Sequence, residues 1–498
     1  MERLSGILMH ISSLPSPYGI GTMGKAAYDF VDFLNESDQS YWQILPVCQT
    51  GFGDSPYQSF STFAGNPYFV DLDLLIEEGY ISQEDVKVLE DVEDEEKVAY
   101  GDIYNKRYPV LQKAMKKFLE NPTDDYYDFI NKHKYWLNDY ALYMSIKKSL
   151  NDLCWLDWPE DLRTRNKEAM DKALKENKNS YEFYKAIQYF FFKQWNDLSE
   201  YACKKGVSFI GDLPIYVSID SVDAWSHPEI FQLDKTGKPT EVAGCPPDAF
   251  SRSGQLWGNP LFDWDQLEKT NYKWWVQRIK HVCDIYDVVR IDHFRGFESY
   301  YAIPYGNEDA RIGRWRKGPG AKLFKEIEKQ LGKKNIIAED LGLLTPEVTD
   351  MLEECGYPGM RVLQFAFGSF EYKTNNYLPH NFINNCVAYT GTHDNDTIMG
   401  WLESIDKKEA KATLDYMGIE TYEDYNWSLM KLLWRSVAGI TIVQAQDLLG
   451  LDNSARMNTP STTGVNWMWR AKKGVFDHKL AKKLSLYTNL YGRNKNAD

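Results

Sequence analysis

Long hydrophobic runs are missing from this 498-residue chain. No uncharged apolar segment approaches the roughly 18 residues needed to cross a bilayer as a helix. The opening MERLSGILMHISSLP is interrupted by Ser5 and His10, so it lacks the apolar core of a secretory signal. The seven cysteines, Cys48, Cys154, Cys203, Cys245, Cys283, Cys355 and Cys386, are odd in number and include no CxxC pair. That excludes a disulfide framework or zinc knuckle and points to a reducing, cytoplasmic setting. Positive charge is in deficit: 57 Lys+Arg against 72 Asp+Glu leave a net charge of -15, which repels phosphate backbones and anionic lipid. Neither nucleic acid nor membrane is therefore an expected partner. No HExxH or other compact ligand run occurs, so no catalytic metal and no cofactor is expected, with structural calcium left open.

What is present suits a large globular protein, because 43% hydrophobic and 26% charged residues can bury a substantial core. Among 24 Phe, 16 Trp and 33 Tyr, many rings sit near Gly, Asn and Pro, where a flat apolar face with a polar tip suits a sugar. Ordinary packing accounts for most of the others. Eight short apolar or β-branched runs end in polar, Gly or Pro residues: 5–11, 41–47, 207–213, 286–292, 335–340, 361–367, 386–392 and 439–445. Strands alternating with helices eight times predict an α/β fold, a closed (β/α)8 TIM barrel. The stretch between the second and third strands far exceeds the ~30 residues of a βαβ crossover. It is rich in Glu, Lys, Tyr and Leu, which predicts a mainly helical insertion. The expected division is 1–80 as the first part of the barrel, 81–205 as the helical subdomain, and 206–498 as the remaining barrel. Residues 218–262 are expected to form a long polar loop on the active-site side. The acidic cluster Asp91, Glu93, Asp94, Glu95 and Glu96 reads as a solvated loop or helix end. Too little chain follows the last strand for a C-terminal β-sandwich domain of ~100 residues.

Three carboxylates stand at the C-terminal ends of predicted strands: Asp292 in DVVRIDHFRG, Glu339 in IIAEDLG and Asp394 in TGTHDNDT. A barrel gathers such ends on one face. Asp292 and Glu339 follow consecutive strands, which pair ~4.8 Å apart, near the ~5–5.5 Å separation of a retaining glycosidase. Arg290, two residues before Asp292, shares its inward face and is expected to hold Asp292 ionised as the nucleophile. Glu339 must then carry a proton near neutral pH, which needs an apolar or negatively charged environment. A lone Asp at such a turn is more simply a helix N-cap. Three carboxylates accompanied by Arg290, His293 and His393 argue for a site instead. Gly19, Gly21 and Gly24 match a GxGxxG pattern, but Pro15 and Pro17 separate them from the strand. The tight phosphate-cradling turn is thus unsupported, and a glycine-rich first barrel loop is expected.

The segments HISSLPSPYGIGTMG, SPYQSFSTFAGNPY, GDLPIYV, PPDAFSRSGQLWGNPLFDW, VVRIDHFRG, IIAEDLG, GTHDNDT and ARMNTPSTTGVNWMWR together resemble the amylomaltases. These are 4-alpha-glucanotransferases of glycoside hydrolase family 77 in the α-amylase clan. The resemblance spans nearly the whole barrel and is least distinctive in the helical insertion. It implies Asp292 as nucleophile, Glu339 as general acid/base and Asp394 as the carboxylate that grips and distorts the sugar. Arg290, His293 and His393 would contact that sugar, while Ser55, Tyr57, Asp212, Trp257 and Asn466 would contact its neighbours. The loop around 245–260 would lie over the groove. It further implies an α-1,4-glucan donor with glucose or a maltooligosaccharide as acceptor. Cys245 before PPD departs from the expected aliphatic residue and puts the redox sensitivity of that loop, not the chemistry, in question. An α-1,4-glucan hydrolase using the same carboxylates and a non-catalytic glucan-binding protein are the alternatives; the second would be expected to lack a carboxylate that is present here.

Overall fold

Each of the eight runs overlaps a strand in the computed structural model, which describes residues 1–51, 53–247, 251–342, 344–369 and 371–495. In chain order the strands are β1 (Leu4–Leu8), β2 (Tyr41–Gln43), β3 (Ser208–Leu213), β4 (Glu241–Cys245), β5 (Gln255–Pro260), β6 (Val288–Ile291), β7 (Ser299–Pro304), β8 (Arg314–Lys317), β9 (Ile336–Ala338), β10 (Gly359–Val362), β11 (Cys386–Tyr389) and β12 (Ile440–Gln444). Eight of them pair in parallel in the order β10-β11-β12-β1-β2-β3-β6-β9. The gap between β9 and β10 is bridged where the Ala338 N–H donates to the Pro358 carbonyl at 2.9 Å. Beside it, the Asp340 carboxylate accepts from the Met360 N–H at 2.6 Å and pairs with Arg361 at 3.1 Å. The TIM-barrel expectation thus holds, with strands shorter than the apolar runs. Just past the ends of β6 and β9 the chain carries Asp292 and Glu339 into the mouth of the barrel.

The predicted loop 218–262 contains more order than expected. Its β4 and β5 join β7 and β8 in a separate antiparallel sheet, ordered β5-β4-β7-β8. Val242, Tyr301, Ile303 and Ala310 form its own small apolar core. Glu241 on β4 is held by Arg314 and Arg316 on β8. Gly, Asn and Pro within EVAGC and QLWGNP weaken any local strand signal, and the pairing of β4 with β7 outweighs it.

Between β2 and β3 run the long helices Asp124–Ser149 and Lys178–Lys204, with shorter ones around them. The second is also a barrel helix: Trp195 packs on Phe209 of β3 at 4.8 Å, and Tyr201 on Tyr28 of helix Lys25–Glu36 at 4.9 Å. One continuous helix therefore serves both regions, and their apolar side chains belong to one core. Gly24 immediately precedes helix Lys25–Glu36. A side chain there would collide with the Asp71 carboxylate, so close packing accounts for this member of the glycine pattern.

Candidate active site

Arg290 on β6 faces Asp212 on β3 in register. Its Nη1 lies 2.8 and 2.7 Å from the two Asp212 oxygens and 3.0 Å from Asp292 Oδ1. One guanidinium thus divides its charge between two carboxylates. Arg290 acts on Asp292 in the expected direction, but it is shared with Asp212. Burial pushes the Asp292 carboxyl up; Arg290 opposes this, while Asp212, Glu339 and Asp394 add to it.

Asp292 directly follows β6 and Glu339 directly follows β9. These strands pair with Ile291 opposite Ala338, and the ladder continues past them, the Glu339 N–H donating to the Ile291 carbonyl at 3.0 Å. The two carboxylates are therefore next-door neighbours across the sheet. Glu339 accepts from the His293 N–H at 2.7 Å and the Leu341 N–H at 2.8 Å. The first of these bonds depends on a bend at His293, whose φ of 51° is in the left-handed region. Burial raises the Glu339 carboxyl, with Arg290 and the two amides working against it.

Across the mouth, the Tyr57 hydroxyl donates to Asp212 Oδ2 at 2.7 Å. The Tyr57 ring stacks on His393 at 5.0 Å and 17°, and Trp467 meets Tyr57 and His393 at 5.8 and 5.7 Å. His393 Nε2 is 3.3 Å from Asp394 Oδ1, while burial drives His393 and His293 toward their neutral forms. Trp257 meets His293 edge-on at 4.8 Å. Asp212 lies beneath this group, with no side-chain exposure and both oxygens used by Arg290 and Tyr57. Its carboxylate is engaged by those two residues. Ser55 accepts from the Tyr57 N–H at 3.3 Å and shapes the turn carrying that ring. The Asn466 amide binds its own loop, at Thr459 and Thr462, next to Trp467. Within 245–260, Asp248, Ala249 and Phe250 lie outside the described residues.

Three contributors were absent from the sequence reading. Asn458 Nδ2 donates to Asp394 Oδ1 at 2.6 Å, and Arg456 Nη2 donates to the Asp394 carbonyl at 2.6 Å while pairing with Asp396. Trp467 holds a left-handed φ of 66°, an unusual cost for a bulky residue that marks a site. All three come from the irregular chain after β12, where the only available signal was the clustered Arg, Asn and Trp of ARMNTPSTTGVNWMWR. Among the described residues no group of three or more His, Cys, Asp or Glu is arranged to hold a metal.

A (β/α)8 barrel whose mouth gathers carboxylates, a guanidinium and aromatic rings has the character of an enzyme that works on sugars. The model of the 4-alpha-glucanotransferase family matches residues 9–476, and the chain belongs to this family. It is similar to the 4-alpha-glucanotransferase of Clostridium butyricum, 50% identical over 97% of this chain and 100% of that one. The enzyme of the same description from Aquifex aeolicus is 45% identical over 99% of each chain. Among solved structures, the amylomaltase from Streptococcus agalactiae in complex with acarbose superposes with a TM-score of 0.97, 41% identity and coverage of 99% and 100%. These relatives are glycosyl-transferring enzymes, and so is this chain.

Proposed function

We propose that the chain transfers α-1,4-glucan segments between maltooligosaccharides by retaining double displacement, with Asp292 as nucleophile and Glu339 as acid/base. Asp292 attacks C1 of a glucosyl unit while protonated Glu339 gives its proton to the departing O4. The C1–O4 bond breaks, and a covalent glucosyl-enzyme forms. Glu339, now ionised, is stabilised by the His293 and Leu341 amides. It takes the proton from the 4-OH of an acceptor as that oxygen attacks C1 and releases Asp292. The observation that carries this reading is the pairing of Arg290 with Asp292 at 3.0 Å beside Glu339 on the adjoining strand. Tyr57, His393 and Trp467 would form the platform for the reacting sugar, and Asp394, oriented by Asn458, would grip its hydroxyls. Ser55, Trp257 and Asn466 are proposed for neighbouring units.

Transfer prevails over hydrolysis when an acceptor held in attack geometry outcompetes water. Incubation with maltotriose tests this: glucose plus longer oligomers at constant total reducing ends is the expected result. Rising reducing ends with only shorter products would make the chain a hydrolase. No helix among the described residues is long and apolar enough to cross a membrane. We place the enzyme in the cytoplasm, which the odd cysteine count supports.

A further inference from the structure

Resting on the glucan-transfer reading, we propose that Trp315 is a stacking platform for glucose units of the acceptor beyond the one that supplies the attacking 4-OH. His293, whose N–H holds Glu339, leads into the short turn Phe294–Phe297. From that turn the buried Arg295 places its guanidinium over the Trp315 ring, 4.0 Å from its centre. The Tyr301 ring, directly opposite on β7, meets the indole in an edge-type contact at 5.3 Å and 63°. Despite both contacts Trp315 is 42% exposed. It is an indole fixed by cation–π and edge contacts on an outer strand, with apolar surface left in water.

Its position gives that surface a purpose. Tyr57, His393 and Trp467, which surround the reacting sugar, come from the chain after β2, β11 and β12. Arg295 and Trp315 extend from the opposite side, where Glu339 exchanges a proton with the leaving or attacking oxygen. The antiparallel sheet brings a tryptophan from each outer strand, Trp257 on β5 beside His293 and Trp315 on β8 beside Arg295. An acceptor chain leaving Glu339 along the His293–Arg295 turn would reach Trp315. Sugar C–H faces pack on such rings with little ordering cost, because the indole is already immobilised.

The experiment uses Trp315→Leu, which keeps apolar cover over Arg295 but removes the flat face, and Trp315→Phe, which restores a ring. With saturating α-maltotriosyl fluoride as donor, acceptor KM is measured for glucose, maltose, maltotriose and maltopentaose. In Trp315→Leu the KM should rise roughly three- to tenfold for the two longest acceptors, while glucose changes least and kcat is retained. Trp315→Phe should return most of the loss. Equal losses for every acceptor length, or no change in any KM, would overturn the proposal. Wild-type enzyme that releases fluoride but elongates no acceptor would refute transfer itself, and this proposal with it.

Discussion

Arg278 and Arg290 are both buried near the top of the barrel, and they are satisfied in opposite ways. Arg278 donates from Nε to Thr62 Oγ1 at 2.7 Å, from Nη1 to the Ile215 carbonyl at 2.9 Å and from Nη2 to the Pro214 carbonyl at 2.6 Å. Its acceptors are neutral and fixed, and burial draws its pKa down to about 10. Arg290 instead faces two carboxylates. Around Arg278, where the helical segment meets the barrel, other polar groups are similarly matched. Gln188 accepts from the Gly65 N–H at 2.7 Å and donates to its carbonyl at 2.8 Å; Gln194 does the same for Asp71 at 2.7 and 3.2 Å. Lys147 pairs with Asp220 at 2.6 Å. The junction is a scaffold in which each of these donors meets an acceptor. The mouth keeps more negative charge than one guanidinium neutralises, and a proton must move there during each turnover.

The strongest way to break this contrast is to remove a reacting carboxylate. Asp292→Asn is expected to lower turnover of maltotriose by at least about 10^4-fold, because no other group supplies the nucleophile. Glu339→Gln should cost roughly 10^2–10^4-fold with maltotriose. It should cost much less for the first step with a glycosyl fluoride, whose leaving group needs little protonation. A similar loss with both donors would remove Glu339 from the acid role, and a mildly affected Asp292→Asn would remove Asp292 from the nucleophile role.

The mouth was legible in sequence because its chemistry sits where strands end. Apolar runs located β6, β9 and β11, and Asp292, Glu339 and Asp394 followed from their termini. Arg290 followed from two-residue alternation. How the charges are shared was not legible: Asp212 belongs to a different strand, and only the β3–β6 register sets it opposite Arg290. The second sheet was hidden for a related reason, since β4 depends for part of its pairing on β7, more than 50 residues later in the chain. Asn458, Arg456 and Trp467 lie in irregular chain, where periodicity carries no information. The helical segment showed its composition but not that Gln188 and Gln194 would complete the backbone at Gly65 and Asp71, remote in sequence.

A smaller effect sharpens the electrostatic half of the comparison. Asp212→Asn removes one of the two carboxylates sharing Arg290, leaving its charge more fully to Asp292, and also removes a like charge that raises Asp292. The nucleophile must be ionised, so the acid limb of the kcat/KM profile reports its protonation. Lowering its pKa should move that limb to lower pH by about one unit. The maximum rate should fall as well, since Tyr57 loses its charged acceptor. An acid limb that stayed in place or moved to higher pH would mean that Asp212 does not compete for Arg290.

The smallest expected effect on catalysis lies at the junction, and it separates the two regions most cleanly. Gln188→Ala deletes both amide bonds and leaves the N–H and carbonyl of the buried Gly65 without these partners. The consequence should be a loss of unfolding free energy on the order of 2–5 kcal/mol, read from urea denaturation followed by circular dichroism. Gln188 touches none of the groups around Asp292. At temperatures where the variant remains folded, its kcat and acid limb should match those of the wild type. If Gln188→Ala instead shifted the pH profile while leaving the urea midpoint unchanged, the junction would be coupled to the charges of the mouth. The division between a matched scaffold and an unbalanced site would then fail.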